Sequence, residues 1–276
     1  MKKILCVVGF VVLAAQIPLW GFDTSPSSLQ IVPEAIWAEA TGGGTWVTEI
    51  QITNFAAEPA TIEVWFSYSG GSRSNIILYT GLAQYHSVRF SNILSQLQTL
   101  DSSFTYYGRV GALILDGSPG LIQVQAKTVN GNYGKTFPGL NVVAGNTAAE
   151  GRPMIIQDLA QNATYRTSVG IYNPTIGNLT IQFTIVNANN STVGSTFSKT
   201  LLEEGFLSFN PFVQAGVPSG TYENCWLLIE VTVGGGVDQG LMCYGSIANN
   251  YTNDTYALMA KQYSAGSTAM PAPPIR

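Results

Sequence analysis

The chain has 276 residues, with 12 basic and 16 acidic side chains for a formal charge of −4, and it is 10% charged and 46% apolar. So sparse and acid-leaning a charge set, with no run of Lys or Arg, excludes nucleic-acid binding by phosphate neutralisation. The apolar fraction is enough for a substantial core and excludes a disordered chain.

The N-terminus reads as an export signal over residues 1–21. Lys2 and Lys3 form a short positive region, Ile4 to Ala15 an apolar run, and the cleavage point falls after Ala14–Ala15 or after Gly21. Gln16 and Pro18 interrupt the run, which falls short of the ~20 apolar residues of a spanning helix, so no stable membrane span is expected after cleavage. Cys6 sits too early for a lipoprotein signal. Without the two lysines, ten basic residues face sixteen acidic ones, a net charge of −6. The expected location is secreted or cell-surface.

The remainder repeats itself. Residues 45–137 align without gaps on residues 164–256 at an offset of 119: Thr45–Asn54 on Thr164–Asn173, Thr61-Ile62 on Thr180-Ile181, and Leu82 and Phe90 on Leu201 and Phe209. A repeat of this length is a domain and not a solenoid unit. The expected organisation is a first β-sandwich over 22–141, a second over 142–263 and a flexible tail over 264–276. Within each copy the pattern has period two. Ile50 and Ile52 alternate with Glu49, Gln51 and Thr53; Ile62, Val64 and Phe66 with Glu63 and Ser67; Ile122, Val124 and Ala126 with Gln123, Gln125 and Lys127. Such alternation predicts antiparallel strands with one face buried and one wet. Gly70-Gly71, Asp116-Gly117, Asn130-Gly131 and Gly234-Gly235-Gly236 punctuate them, and Asn54 and Asn173 close matching strands where an Asn side chain can start a turn. The spacing predicts an all-β fold of two tandem antiparallel β-sandwiches with about seven strands each. Single helical turns are expected at Asn92–Leu97 and Pro211–Gln214, and a first strand of the second copy near Met154–Ile156.

Candidate chemistry is thin. His86 is the one histidine; it could serve as a base, but no G-x-S-x-G elbow accompanies it and its repeat counterpart is Gly205. Glu203-Glu204 is an adjacent acidic pair, and neighbours on a strand point to opposite faces. Asn249, Asn250, Asn253 and Asp254 make an oxygen-rich loop whose spacing is not that of a calcium loop, and it reads as a polar turn. No catalytic, cofactor or metal residues are therefore predicted, and no enzyme. Cys225 and Cys243 fall on inward phases and are a candidate disulfide in a secreted chain. A hairpin with Ile114 opposite Ile122, carried forward by 119, sets Val231 opposite Cys243 and leaves Cys225 six residues, or ~20 Å, away. A bridge then needs another register, and the alternative is two buried thiols. Trp65, Tyr68, Tyr79, Tyr106, Tyr107, Tyr222 and Tyr244 are candidates for a sugar-binding platform or ordinary strand aromatics. N-x-S/T occurs at Asn162, Asn178, Asn189, Asn190, Asn250 and Asn253, which matters only in a glycosylating host.

Thr48-Glu49-Ile50-Gln51-Ile52-Thr53-Asn54 and Thr167-Ser168-Val169-Gly170-Ile171-Tyr172-Asn173 carry a T-x-[IV]-x-[IV]-x-N opening, and the copies close with Asn130-Gly131-Asn132-Tyr133-Gly134-Lys135 and Asn249-Asn250-Tyr251-Thr252-Asn253-Asp254. In these segments the chain resembles uncharacterised secreted bacterial proteins with tandem immunoglobulin-like β-sandwich repeats. It departs from their closing motif at Lys135 and lacks an Asp before Asn250. The resemblance implies a sandwich fold and a surface or secreted role, and supplies no catalytic residues. The expected function is a non-catalytic structural or adhesion protein that contacts a protein or glycan partner. The alternatives are an extracellular filament subunit, self-associating by strand addition through Phe22–Gln30 or the tail, and a carbohydrate-binding module.

Overall fold

A computed structural model describes residues 23–41, 43–234 and 240–263; the expected signal segment, Phe22, the tail and most of the Gly234–Gly236 turn lie outside the described residues. In chain order the first copy holds β1 (Leu29–Glu39), β2 (Thr45–Asn54), β3 (Ala60–Tyr68), β4 (Gly71–Leu82), β5 (Ser87–Phe90), α1 (Ile93–Leu100), β6 (Arg109–Ser118), β7 (Ile122–Asn130) and β8 (Tyr133–Pro138). After a 3-10 turn at Ala144–Asn146 the second holds β9 (Met154–Gln161), β10 (Tyr165–Tyr172), β11 (Leu179–Val186), β12 (Phe197–Leu201), β13 (Phe206–Phe209), α2 (Pro211–Gln214), β14 (Tyr222–Val233), β15 (Met242–Asn249), β16 (Thr255–Met259) and β17 (Lys261–Gln262). The protein is all-β with antiparallel pairing throughout these strands. The offset of 119 carries β5 onto β13 residue for residue, and β2, β3 and β7 onto β10, β11 and β15 to within one residue at either end.

The first copy forms one sheet of order β4-β3-β6-β1-β2-β7-β8, with β5 on β2. It acts as two layers because β1 serves both: its register shifts between Val32 and Ala35, and it pairs with β6 along most of its length and with β2 over Trp37–Glu39. In the second copy the same layers are separate sheets, β12-β11-β14-β9-β17 and β13-β10-β15-β16. Val64, Phe66, Leu113 and Leu115 from one layer and Ile50, Ile52, Val124 and Ala126 from the other share the first core. Ile181, Phe183, Leu227 and Ile229 with Val169, Ile171 and Cys243 share the second.

Two expectations are corrected here. First, β6 and β7 do not form a hairpin. Ile114 pairs with Ile31 and Trp65, whereas Ile122 pairs with Asn54, because the chain crosses between layers at Pro119–Leu121. By the same crossing, β14 and β15 lie in different sheets: Cys225 pairs with Leu159 and Cys243 with Ile171. The candidate Cys225–Cys243 disulfide is not formed, and both are free, buried thiols. Burial pushes the Cys225 thiol up to about 11 and Cys243 higher still. Alkylation of the native protein followed by peptide mapping should leave both unmodified, and denaturation should expose both; a disulfide-linked Cys225–Cys243 peptide would contradict the structure. Second, Asp23–Gln30, expected as a segment that could add to a neighbour, is tied into its own copy. Ser27 bridges Ile122, and the buried Gln30 side chain donates to the Ser25 carbonyl and accepts from Val124 N.

One sheet defies the one-wet-face rule. Along β15, Met242 to Ile247 are all buried. Val169, Ile171 and Cys243 face the second core, while Tyr172, Phe206, Met242 and Tyr244 join the core of the first copy, with Ala257 and Met259 packed against it. The sheet β13-β10-β15-β16 is thus sandwiched between the two copies. Position by position, the first copy has Thr53, Ser87, Gln123 and Gln125 where the second has Tyr172, Phe206, Met242 and Tyr244. Gln51, opposite Gln125, becomes Gly170 opposite Tyr244. A Cβ at Gly170 would lie 2.0 Å from Tyr244 Cε1, so the glycine is what lets the ring lie over the neighbouring strand β10. At the rim of this contact Lys135 Nζ lies 2.7 and 2.9 Å from the two Glu34 carboxylate oxygens and donates to Ser246 Oγ at 2.8 Å. The Tyr244 ring meets Phe137 edge-on at 5.2 Å, Asn253 Nδ2 donates to the Thr41 carbonyl at 2.6 Å, and Ser67 Oγ donates to the Glu204 carbonyl.

Candidate functional site

The structure disperses the predicted chemistry. His86 lies exposed in the turn before β5, and its backbone carbonyl accepts from Asn54 N at 3.1 Å. Glu203 and Glu204 form the β12–β13 turn, where Glu204 has φ 51°. The oxygen-rich loop already holds a cation of its own: the Arg166 guanidinium donates to Asn250 Oδ1 at 3.0 Å and to Asn253 Oδ1 at 3.2 Å. Among the described residues no three His, Cys, Asp or Glu side chains gather as metal ligands.

The aromatic platform is not assembled. Tyr106 and Tyr244 are fully buried, Trp65, Tyr68 and Tyr222 half-buried, and Tyr79 and Tyr107 exposed at separate places. Arginines cap the first copy's aromatics. The Arg109 guanidinium carbon sits 5.1 Å from the Tyr68 ring centre and 5.4 Å from that of Phe104, and Arg73 sits 5.3 Å from Phe104. Arg73 Nε and Nη2 donate to Asp101 Oδ2 at 2.9 and 2.7 Å. Bonds from Ser103 and then from Arg73 hold the Asp101 carboxyl below its usual range, and burial, with Asp101 nearby, pushes the Tyr106 phenol up to about 12. This cluster uses its polar groups internally.

What the fold does build is a pair of apolar loop tips, and Asn54 and Asn173 build them. Buried Asn54 donates through Nδ2 to the carbonyls of Glu58 and Leu82 at 2.9 and 2.8 Å and accepts from Ala56 N at 2.8 Å. Tyr85 N donates to the Asn54 carbonyl and Phe55 N to the Leu121 carbonyl, both at 2.7 Å. One side chain and its backbone therefore tie the β2–β3, β4–β5 and β6–β7 loops together, satisfying groups that would otherwise stay unpaired at a strand end. Asn173 repeats the arrangement on Gly177, Leu202 and Thr175. On the first tip stand Tyr85, 69% exposed, Phe55 and Leu121, with the Phe55 and Tyr85 rings edge-on at 6.1 Å. On the second stand Ile176, 88% exposed, Leu202, 64% exposed, and Val233. The sequence reading recognised the two asparagines but not the tips. Their signal was the large apolar residue just after the strand-closing Asn, as in Asn54-Phe55.

No protein-family model matches the sequence, and no curated protein matches it. Two solved structures of glycosyl hydrolase family 2 members from Bacteroides cellulosilyticus resemble it at 9% identity and a TM-score of 0.17. One match covers 84% of this chain and 27% of that one, the other 83% and 25%. The chain spans about a quarter of the length of those structures. A likeness this low carries no inference about activity.

Proposed function

We propose that this is an exported, non-catalytic protein of the cell surface or its surroundings, which acts by presenting contact surfaces on a stiff two-repeat body. The observation that carries the reading is the Phe55–Tyr85–Leu121 tip. Large apolar side chains stand in water on loops whose backbones are locked to one another. Exposed apolar groups on fixed loops lose little freedom on binding, and such clusters mark contact sites.

The test is attachment. Beads carrying the purified protein should retain cells or matrix of the source organism, and Phe55→Ser/Tyr85→Ser should reduce retention by about tenfold, the scale of a lost aromatic anchor. Light scattering should show both proteins at the same mass. Equal retention by the double variant would remove the tip from the function, and no retention by either protein would remove adhesion.

A further inference from the structure

The two repeats also differ where α1 gives way to α2. In the first copy α1 runs two turns and buries Ile93, Leu94 and Leu97, and Gln98 Oε1 then accepts from Tyr106 N at 3.0 Å. In the second copy α2 stops after four residues. Gly216, at the position of Leu97, follows the last turn with φ 65°, a helix-ending conformation that glycine favours. The residues that would continue the helix become the loop Val217–Thr221, and β14 begins at Tyr222, six residues ahead of the place its counterpart β6 would give. The missing turn leaves an open cleft of about 580 Å³ between this loop, α2 and the Gln161–Ala163 turn.

We infer that this cleft is a binding site for a neutral oligosaccharide. Its lining carries no charged side chain: it includes the Gln161 and Asn162 amides, the Ser219 and Thr221 hydroxyls, and an apolar wall of Val213, Val217 and Pro218 over the fully buried Phe212. Uncharged donors and acceptors around an apolar surface match a sugar ring, which presents hydroxyls at its rim and C–H groups on its faces. An anionic ligand would find no counter-charge in this lining, beside which stands the Glu223 carboxylate. A peptide strand would need an unpaired sheet edge, whereas this cleft is bounded by a turn and a loop. The polar groups are held in place beforehand. Asn210 Nδ2 donates to Gln161 Oε1 at 2.9 Å, which leaves the Gln161 amide hydrogens for a ligand. Asn162 Nδ2 donates to Glu223 Oε1 at 2.8 Å while its Oδ1 accepts from Thr164 N and Tyr165 N. Phe212 is fixed against Tyr222, ring centres 5.8 Å apart. The volume lies within the range of small-ligand sites, roughly 300–1,000 Å³. The site is separate from the loop tips, and it places a glycan contact where the outward strand aromatics do not.

The test is calorimetric titration of the purified protein with cellohexaose, xylohexaose, mannohexaose and maltohexaose, with polygalacturonate as the anionic comparison. At least one neutral hexaose should bind. Val213→Glu, at an exposed wall position, should weaken that binding tenfold or more, and Thr221→Trp, which fills the cleft, should abolish it. Circular dichroism should show both variants folded. Phe55→Ser/Tyr85→Ser should bind the sugar normally, so failure here and failure of the tip reading are distinguishable. Absence of binding by all four sugars at about 10 mM, a concentration that exposes even millimolar affinity, would overturn the inference. So would binding that both cleft variants leave intact, or equal binding of polygalacturonate.

Discussion

Tyr244→Ala is expected to lower the unfolding free energy by about 4 kcal/mol, the range for deleting a buried aromatic, and to split one denaturation transition into two. Tyr244 is 2% exposed, and its ring belongs to the core of the first copy although its strand belongs to the second. Its removal opens a cavity at the surface where the copies meet, so each copy then unfolds on its own core. Gly170→Gln should act on the same contact from the opposite side. Any Cβ there meets three atoms of the Tyr244 ring at 2.0, 2.2 and 2.4 Å, and the ring must leave. Combining Gly170→Gln with Tyr244→Gln restores the polar pair that Gln51 and Gln125 form in the first copy. That double variant should be folded within each copy and undocked between them. Urea titration followed by fluorescence and by near-ultraviolet dichroism checks all three. A Tyr244→Ala loss below about 1 kcal/mol, with one sharp transition retained, would show that the ring does not join the copies.

Lys135→Met is the second large effect, expected at about 4 kcal/mol. Both side chains of the Glu34–Lys135 pair are nearly buried, at 7% and 9% exposure, and Ser246 supplies a further bond from the other copy. Removing the ammonium leaves a buried carboxylate without its partner, which costs about 3–5 kcal/mol, whereas replacing both members by apolar side chains is often neutral. Glu34→Leu/Lys135→Met should therefore lie within about 1.5 kcal/mol of the parent. A double-mutant cycle by chemical denaturation decides the matter. If the two single losses simply add, the pair is not coupled and the rim of the contact is solvated.

The strands were legible because alternation is local. Ile50 and Ile52, or Ile62 and Val64, announce a buried face without knowledge of what covers it. The Asn54 and Asn173 turns were legible because the repeat displays them twice. The β6–β7 link was misread because consecutive strands usually pair, and nothing in Ser118-Pro119-Gly120-Leu121 says that the chain changes layer. The two-faced sheet had left a trace in the sequence: Met242-Cys243-Tyr244 replaces Gln123-Val124-Gln125, so that both phases are apolar. Read against the first copy, that substitution points to a covered outer face. The role of Arg166 was not legible, because its partners Asn250 and Asn253 follow 84 and 87 residues later and meet it only through the β10–β15 pairing. The cleft was invisible for a related reason, since it is made by a missing turn of helix and by no residue motif.

The contact between the copies also has a meaning in terms of symmetry. It joins one surface of a repeat to a different surface of its neighbour, and head-to-tail contacts of that kind repeat into a ring or an open filament according to the rotation between neighbours. A chain of two identical repeats would carry a spare copy of each surface and would self-associate head to tail. Here the spare copy of the docking face is the polar layer bearing Gln51, Thr53, Ser87, Gln123 and Gln125, with Glu49 bonded to Arg89 across it. Divergence of those few positions gives the first copy a polar face where the second has its docking face, so the same contact is not offered twice.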